Sequence, residues 1–201
     1  MIKWILFDQA GVQTNMAFEK KNKIYKINGK LFFVKDLDSV FYIPEYYKFM
    51  IGEICEKDLI NKFLKKTKLQ LSYTEYMDLF NKDIKPIKGI DKIILKLYNN
   101  YKLATIINEG SEWANYKLDI SGFRKYFKKN FISGELGLAK PDLEIYLYVL
   151  KKLNAKPEEC IFIDDKRENC IAAAKLGIKS IIFKNSNQLK KELVKYNIDI
   201  S

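Results

Sequence analysis

The stretch Phe162-Ile163-Asp164-Asp165 constrains this chain more than any other. The apolar run from Cys160 to Ile163 reads as a short buried strand, and it stops at two adjacent carboxylates. Lys166-Arg167-Glu168-Asn169-Cys170 then leads into a helix with apolar positions at Ile171, Ala172, Ala174 and Leu176, which Gly177 stops. In an open α/β sheet the ligand crevice lies at the carboxyl ends of the strands. Neighbouring acids placed there repel each other unless positive charge lies between them, and a divalent cation supplies it. Taken alone, the pair is equally compatible with Asp165 capping the helix while Asp164 is solvated.

Two other strand ends carry matching chemistry. Lys3 to Phe7 is an apolar run ending in Asp8 and followed by Gln9-Ala10-Gly11-Val12. Gly137-Leu138-Ala139-Lys140-Pro141-Asp142 leads into a helix that begins with Glu144-Ile145-Tyr146. A carboxylate at the first strand, a lysine at a later one and a carboxylate pair at the next suit a nucleophile, a charge neutraliser and a metal site. In this order the segments resemble the haloacid dehalogenase-like (HAD) superfamily, in its phosphatase-rich branch with a helical cap after the first motif. The resemblance runs over nearly the whole chain.

The resemblance implies a hydrolase that transfers a phosphoryl group from a small phosphorylated metabolite to Asp8. It also implies Mg²⁺ as cofactor, held by Asp8, the backbone carbonyl of Ala10 and one or both of Asp164 and Asp165. Lys140 would bridge the nucleophile and the phosphate, and Gly11 and Asn108 would complete the substrate contacts. Mg²⁺ takes six oxygens in near-octahedral geometry, and a backbone ligand survives any side chain at position 10.

Two family features are missing. The residue two after the nucleophile is usually an Asp that protonates the leaving group, and here it is Ala10. The strand ending near Ile107 usually finishes in a Ser or Thr that binds the phosphoryl group, and here Ile107-Asn108 stands in that place. Thr105 and Ser111 are not obvious substitutes, which leaves Asn108 as the donor. Loss of a general acid costs about 10²–10⁴ in rate, and loss of one transition-state donor roughly 10²–10³. Acyl and aryl phosphates, whose leaving groups need no added proton, would suffer least. The alternative is a catalytically impaired binding or regulatory protein on the same fold. Phosphonate cleavage would need a cap lysine that nothing singles out, and the dehalogenase branch lacks the paired acids.

Composition narrows the classes further. The chain has no histidine, so imidazole chemistry and His-ligated zinc are excluded. Cys55, Cys160 and Cys170 lack metal-ligand spacing and read as reduced packing residues, which with no signal peptide or membrane span points to the cytoplasm. The net charge of +11 comes almost wholly from dispersed lysines, with Arg124 and Arg167 the only arginines. Base-edge and bidentate phosphate recognition favour arginine, so neither a nucleic-acid nor a membrane partner is expected. The sequence leaves the oligomeric state open.

Alternation of strands and helices predicts an α/β fold with a doubly wound parallel sheet, a Rossmann-like core. The core is expected over residues 1–15 and 86–201, with a mainly helical cap inserted at 16–85. Within the insert, Asn28-Gly29 between two β-like runs predicts a hairpin flap over 24–34, and helices are expected over 38–82. Ser72-Tyr73-Thr74-Glu75 has the pattern of a capping box. The aromatic stretch Tyr42, Tyr46, Tyr47, Phe49 and Met50 is expected in the core of the cap.

Overall fold

The computed structural model describes residues 1–20, 22–82 and 84–200. The expected insert spans residues 21 and 83, and the expected core range ends at residue 201; these three positions lie outside the described residues. Five parallel strands form the central sheet: β1 (Trp4–Phe7), β4 (Lys102–Ile107), β5 (Lys129–Ile132), β6 (Cys160–Asp164) and β7 (Lys179–Ile182). Their order is β5-β4-β1-β6-β7, a doubly wound parallel sheet of the kind the alternating pattern predicts. The first strand is central, and the chain winds away from it in one direction and then the other. That reversal opens a crevice at the carboxyl end of β1. Pairing of Phe7 with Ile163 sets the residues that follow them, Asp8 and Asp164, side by side.

β1 and β6 read as unbroken apolar runs because helices cover both faces of the sheet. On one face, α5 (Ile90–Asn100) and α10 (Ser186–Lys195) bury Ile93, Leu97, Leu189 and Leu193 against Ile5, Phe7 and Ile163. On the other, α8 (Leu143–Leu153) and α9 (Arg167–Lys175) bury Ile145, Val149 and Ala173 against Leu6 and Phe162. The apolar face of α9 differs from the expected one: Cys170, Ala172 and Ala173 are buried, whereas Ile171 and Ala174 face solvent. Small residues let α9 pack closely, so its inner face is set by what fits and not by the largest apolar side chain.

The insert after β1 has its own apolar centre. Hairpin strands β2 (Ile24–Ile27) and β3 (Lys30–Phe33) flank Asn28 (φ 48°) and Gly29 (φ 79°), both in the left-handed conformation that a two-residue hairpin turn requires. The helices are α1 (Val34–Leu37), α2 (Pro44–Met50), α3 (Glu56–Thr67) and α4 (Tyr73–Lys82). Helical structure thus begins four residues earlier than expected, directly from the hairpin. The capping box forms as predicted: Ser72 N–H donates to Glu75 at 2.8 Å, and Glu75 N–H donates to Ser72 Oγ at 3.2 Å.

Phe18, Phe49, Phe63, Tyr76 and Phe80 fill the insert around Trp113, which arrives from α6 (Ser111–Ser121) of the core. Of the expected aromatic stretch, Phe49 is buried, but Tyr42 and Tyr47 are exposed and Tyr46 turns toward the crevice. Cys160 and Cys170 are buried free thiols, while Cys55 is exposed.

Candidate active site

Asp8 and Asp164 leave adjacent strands at the same level, and Lys140 approaches from the loop after α7 (Ser133–Leu136). Its ammonium lies 2.7 Å from Asp8 Oδ1 and 2.7 Å from Asp164 Oδ2. All three side chains are buried, so the Coulombic interactions are not screened by bulk water. Two carboxylates keep Lys140 charged: burial works against the ammonium, yet Asp8 and Asp164 together raise its pKa above the ordinary value. Asp8 is pushed up to about 7, first by burial and then by Asp164 and Asp165, with Lys140 pulling the other way.

Among the described residues, Asp8, Asp164 and Asp165 offer carboxylate oxygens within 4.8 Å of one another. Their engagement differs. Asp164 Oδ1 accepts from the Lys166 N–H (2.8 Å) and Asn169 Nδ2 (3.0 Å), and its Oδ2 accepts from Lys140 and again from Asn169 (3.0 Å). Asp165 Oδ1 is buried with no partner among the described residues. Burial and the charge of Asp164 raise its pKa.

Gly11 explains how the Asp8 loop reaches this cluster. At φ 91° it occupies a backbone region that L side chains rarely adopt, and a Cβ there would stand 2.6 Å from Asp165 Oδ2. Its own N–H donates to the Thr14 carbonyl at 2.7 Å, so its contribution is close approach and not an amide offered to substrate. Gln13 Nε2 holds the Asp8 carbonyl at 2.8 Å, and Gln9 Nε2 holds the Ala114 carbonyl at 2.9 Å.

Asn108 follows β4 directly, but its side chain is engaged with the backbone of the lysine. Its Nδ2 donates to the Lys140 carbonyl at 2.6 Å, and its Oδ1 accepts from the Lys140 N–H at 2.8 Å. Thr105, whose Oγ1 meets Asn130 Oδ1 at 3.0 Å, is buried within the sheet.

A narrow cleft opens above Asp8. Asp8, Ala10, Asn108 and Lys140 line its floor, and Phe41 and Tyr46 of the insert face them. Its wall carries a second buried ion pair, Glu109 Oε2 to Lys117 Nζ at 2.5 Å, and Tyr46 Oη donates to Glu109 Oε1 at 3.2 Å. Burial and Glu109 hold the Tyr46 phenol well above its ordinary pKa.

The insert sits tightly here. Cβ atoms built on Gly52 and Gly110 would stand 2.1 Å from the Gly134 carbonyl and the Phe49 ring, respectively. Ser133 Oγ donates to the Met50 carbonyl at 2.7 Å and accepts from the Glu109 N–H at 2.9 Å.

The structure thus brings Asp8, Lys140, Asp164, Asp165, Gly11, Ala10 and Asn108 to one crevice. Reasoning from sequence passed over Asn169, Glu109, Lys117 and Tyr46. Asn169 had a usable signal, since it opens the helix after the carboxylate pair. Of the other three, Glu109 adjoins Asn108 without a signal of its own, Lys117 is one lysine among many, and Tyr46 was expected in the core of the cap.

The sequence profile of haloacid dehalogenase-like hydrolases matches residues 19–183. The chain belongs to this family. The match begins beyond the Asp8 loop, so the assignment stands independently of that motif. A phosphorylated carbohydrates phosphatase of Thermotoga maritima is 27% identical over 184 residues, covering 88% of this chain and 82% of the relative. Flavin mononucleotide hydrolase 1 of Arabidopsis thaliana is 36% identical over 89 residues, 44% of this chain and 36% of the relative. The chain spans only 13–36% of the length of the first curated relatives it matches. Among solved structures, a HAD family enzyme of Bacteroides thetaiotaomicron in complex with magnesium and inorganic phosphate has a TM-score of 0.74. It is 21% identical and covers 92% of this chain and 96% of its own, a likeness of fold.

Proposed function

We propose that this HAD-like hydrolase is a Mg²⁺-dependent phosphatase of a small phosphorylated metabolite. The observation that carries the reading is the Lys140 ammonium bridging Asp8 and Asp164 at 2.7 Å each, beside a buried Asp165 oxygen with no partner among the described residues. One Asp8 oxygen attacks phosphorus while the bond to the leaving oxygen breaks, giving an aspartyl phosphate. Water then attacks that phosphorus, releases inorganic phosphate and regenerates the carboxylate. Lys140 offsets charge on the nucleophile and the phosphoryl oxygens.

The donor set suits a hard divalent cation. Asp164 already accepts from three residues and serves to position Lys140. We therefore assign the metal to Asp8, Asp165 and the Ala10 carbonyl, with Asp164 beside them. When bound, the cation neutralises developing negative charge on phosphoryl oxygens. The insert over 16–85 acts as the cap of this site, Tyr46 and Phe41 closing the cleft from above.

With Ala10 in place of an acid, acyl and aryl phosphates should turn over faster than simple alkyl esters. The +11 charge we read as solvating surface without a nucleic-acid partner; salt-insensitive absence of DNA and RNA binding would agree. Among the described residues no helix is long and apolar enough to cross a membrane. A non-catalytic binding role finds no support among relatives that include phosphatases.

The test is hydrolysis of p-nitrophenyl phosphate and acetyl phosphate with and without Mg²⁺, in wild type and Asp8→Asn. Loss of turnover in the variant and on chelation is expected. Turnover that survives either change refutes the proposal.

A further inference from the structure

The Glu109–Lys117 pair has no part in the chemistry just described, yet it lies in the wall of the same cleft. Its side chains are only 5% and 3% exposed. Taking two charges out of water costs more than their mutual attraction commonly returns, and an apolar pair of similar volume would be at least as stable there. The pair also faces the insert: Glu109 Oε1 accepts from Tyr46 Oη at 3.2 Å, and Lys117 Nζ lies 5.7 Å from the centre of the Phe80 ring.

We propose that Glu109, Lys117 and Tyr46 form the subsite for the leaving group, and that they select one carrying free hydroxyl groups. This rests on the phosphatase reading of Asp8. The subsite combines an acceptor, a cationic donor and a hydroxyl that can do either. Its net charge is zero. A leaving group with a carboxylate would meet Glu109, a cationic one would meet Lys117, and an apolar one would bury the pair's remaining donors and acceptors without partners. A hydroxyl donates to Glu109 and accepts from Lys117 or Tyr46, so it satisfies the pair without disturbing the balance of charge. Glu109 and Lys117 are eight residues apart on the core, and Tyr46 belongs to α2, so the subsite is complete only when the insert rests on the cleft.

The experiment compares glycerol 3-phosphate with n-propyl phosphate, which share an alkyl leaving oxygen and differ in two hydroxyls. Each is measured as a competitive inhibitor of Mg²⁺-dependent p-nitrophenyl phosphate hydrolysis, so neither needs to turn over. Glycerol 3-phosphate should bind about tenfold or more tightly, the worth of one hydrogen bond to a charged group. In Glu109→Gln/Lys117→Met, which removes both charges together, the ratio of the two inhibition constants should fall to within about twofold. Tyr46→Phe should reduce the ratio in part and serves if the double variant does not fold. Equal inhibition in wild type, or a ratio unmoved by the variants, overturns the subsite while p-nitrophenyl phosphate turnover upholds the phosphatase reading. Absence of Asp8-dependent turnover of p-nitrophenyl phosphate overturns both.

Discussion

At Gly11 the Asp8 loop passes so close to Asp165 that one methyl group would meet the carboxylate. Gly11→Ala should therefore cost about 1–3 kcal/mol through the left-handed backbone and should also turn Asp165 aside. Calorimetry should show Mg²⁺ binding weakened about tenfold or more. Asp8 gives a second prediction, on pH. Its pKa rises from 3.8 to about 7 on folding, so between these values the folded protein holds a proton that the unfolded chain has released. The contribution of Asp8 to the stability of the metal-free protein then falls as pH rises through this window, by on the order of a few kcal/mol. Denaturant melts from pH 4 to 8 should show that slope in wild type and lose it in Asp8→Asn. Asp8, Lys140, Asp164 and Asp165 were legible in sequence because each ends an apolar run or stands beside a proline, a signal carried by a few adjacent residues. Glu109 and Lys117 were not, since a charged residue in a loop or a helix looks the same whether its side chain meets solvent or a buried partner.

Among the elements, α2 is held to the core by contacts that leave no room for a side chain. Gly110→Ala would drive a Cβ into the Phe49 ring, which itself lies 4.7 Å from the ring of Trp113. We expect α2 to lift, with a loss of about 1–3 kcal/mol, a changed tryptophan emission and a weaker contribution from Tyr46. Unchanged fluorescence and stability would show that the insert is not seated through this contact. The hairpin and the start of α4 could be read from sequence because Asn28-Gly29 and the Ser72–Glu75 box are local. The inner face of α9 could not, because packing against β6 and β7 selects small side chains over Ile171. Nor could the fate of the aromatic stretch, where neighbours in sequence divide between core, cleft and solvent.

For the molecule as a whole, the central place of β1 would join the proposed metal binding to global stability. Asp8 follows the strand on which both halves of the sheet are built, so a ligand that holds Asp8 also holds the sheet. Free Mg²⁺ at a hundred times its dissociation constant should add about 2.7 kcal/mol, or roughly 5 °C or more in the melting temperature of a domain this size. Asp165→Asn should abolish the shift, whereas Ca²⁺ or Mg²⁺ acting through general ionic strength would stabilise both proteins alike. The doubly wound sheet was legible from the order of apolar runs, and the closeness of the insert to the crevice was not, because it depends on glycines that permit two backbones to touch. Asn108 shows what such closeness costs the chemistry. By gripping the main chain on both sides of Lys140's α-carbon, it braces the ammonium from behind, and a hydroxyl residue placed there would gain a hand toward the proposed phosphate only by letting the lysine's strut go slack.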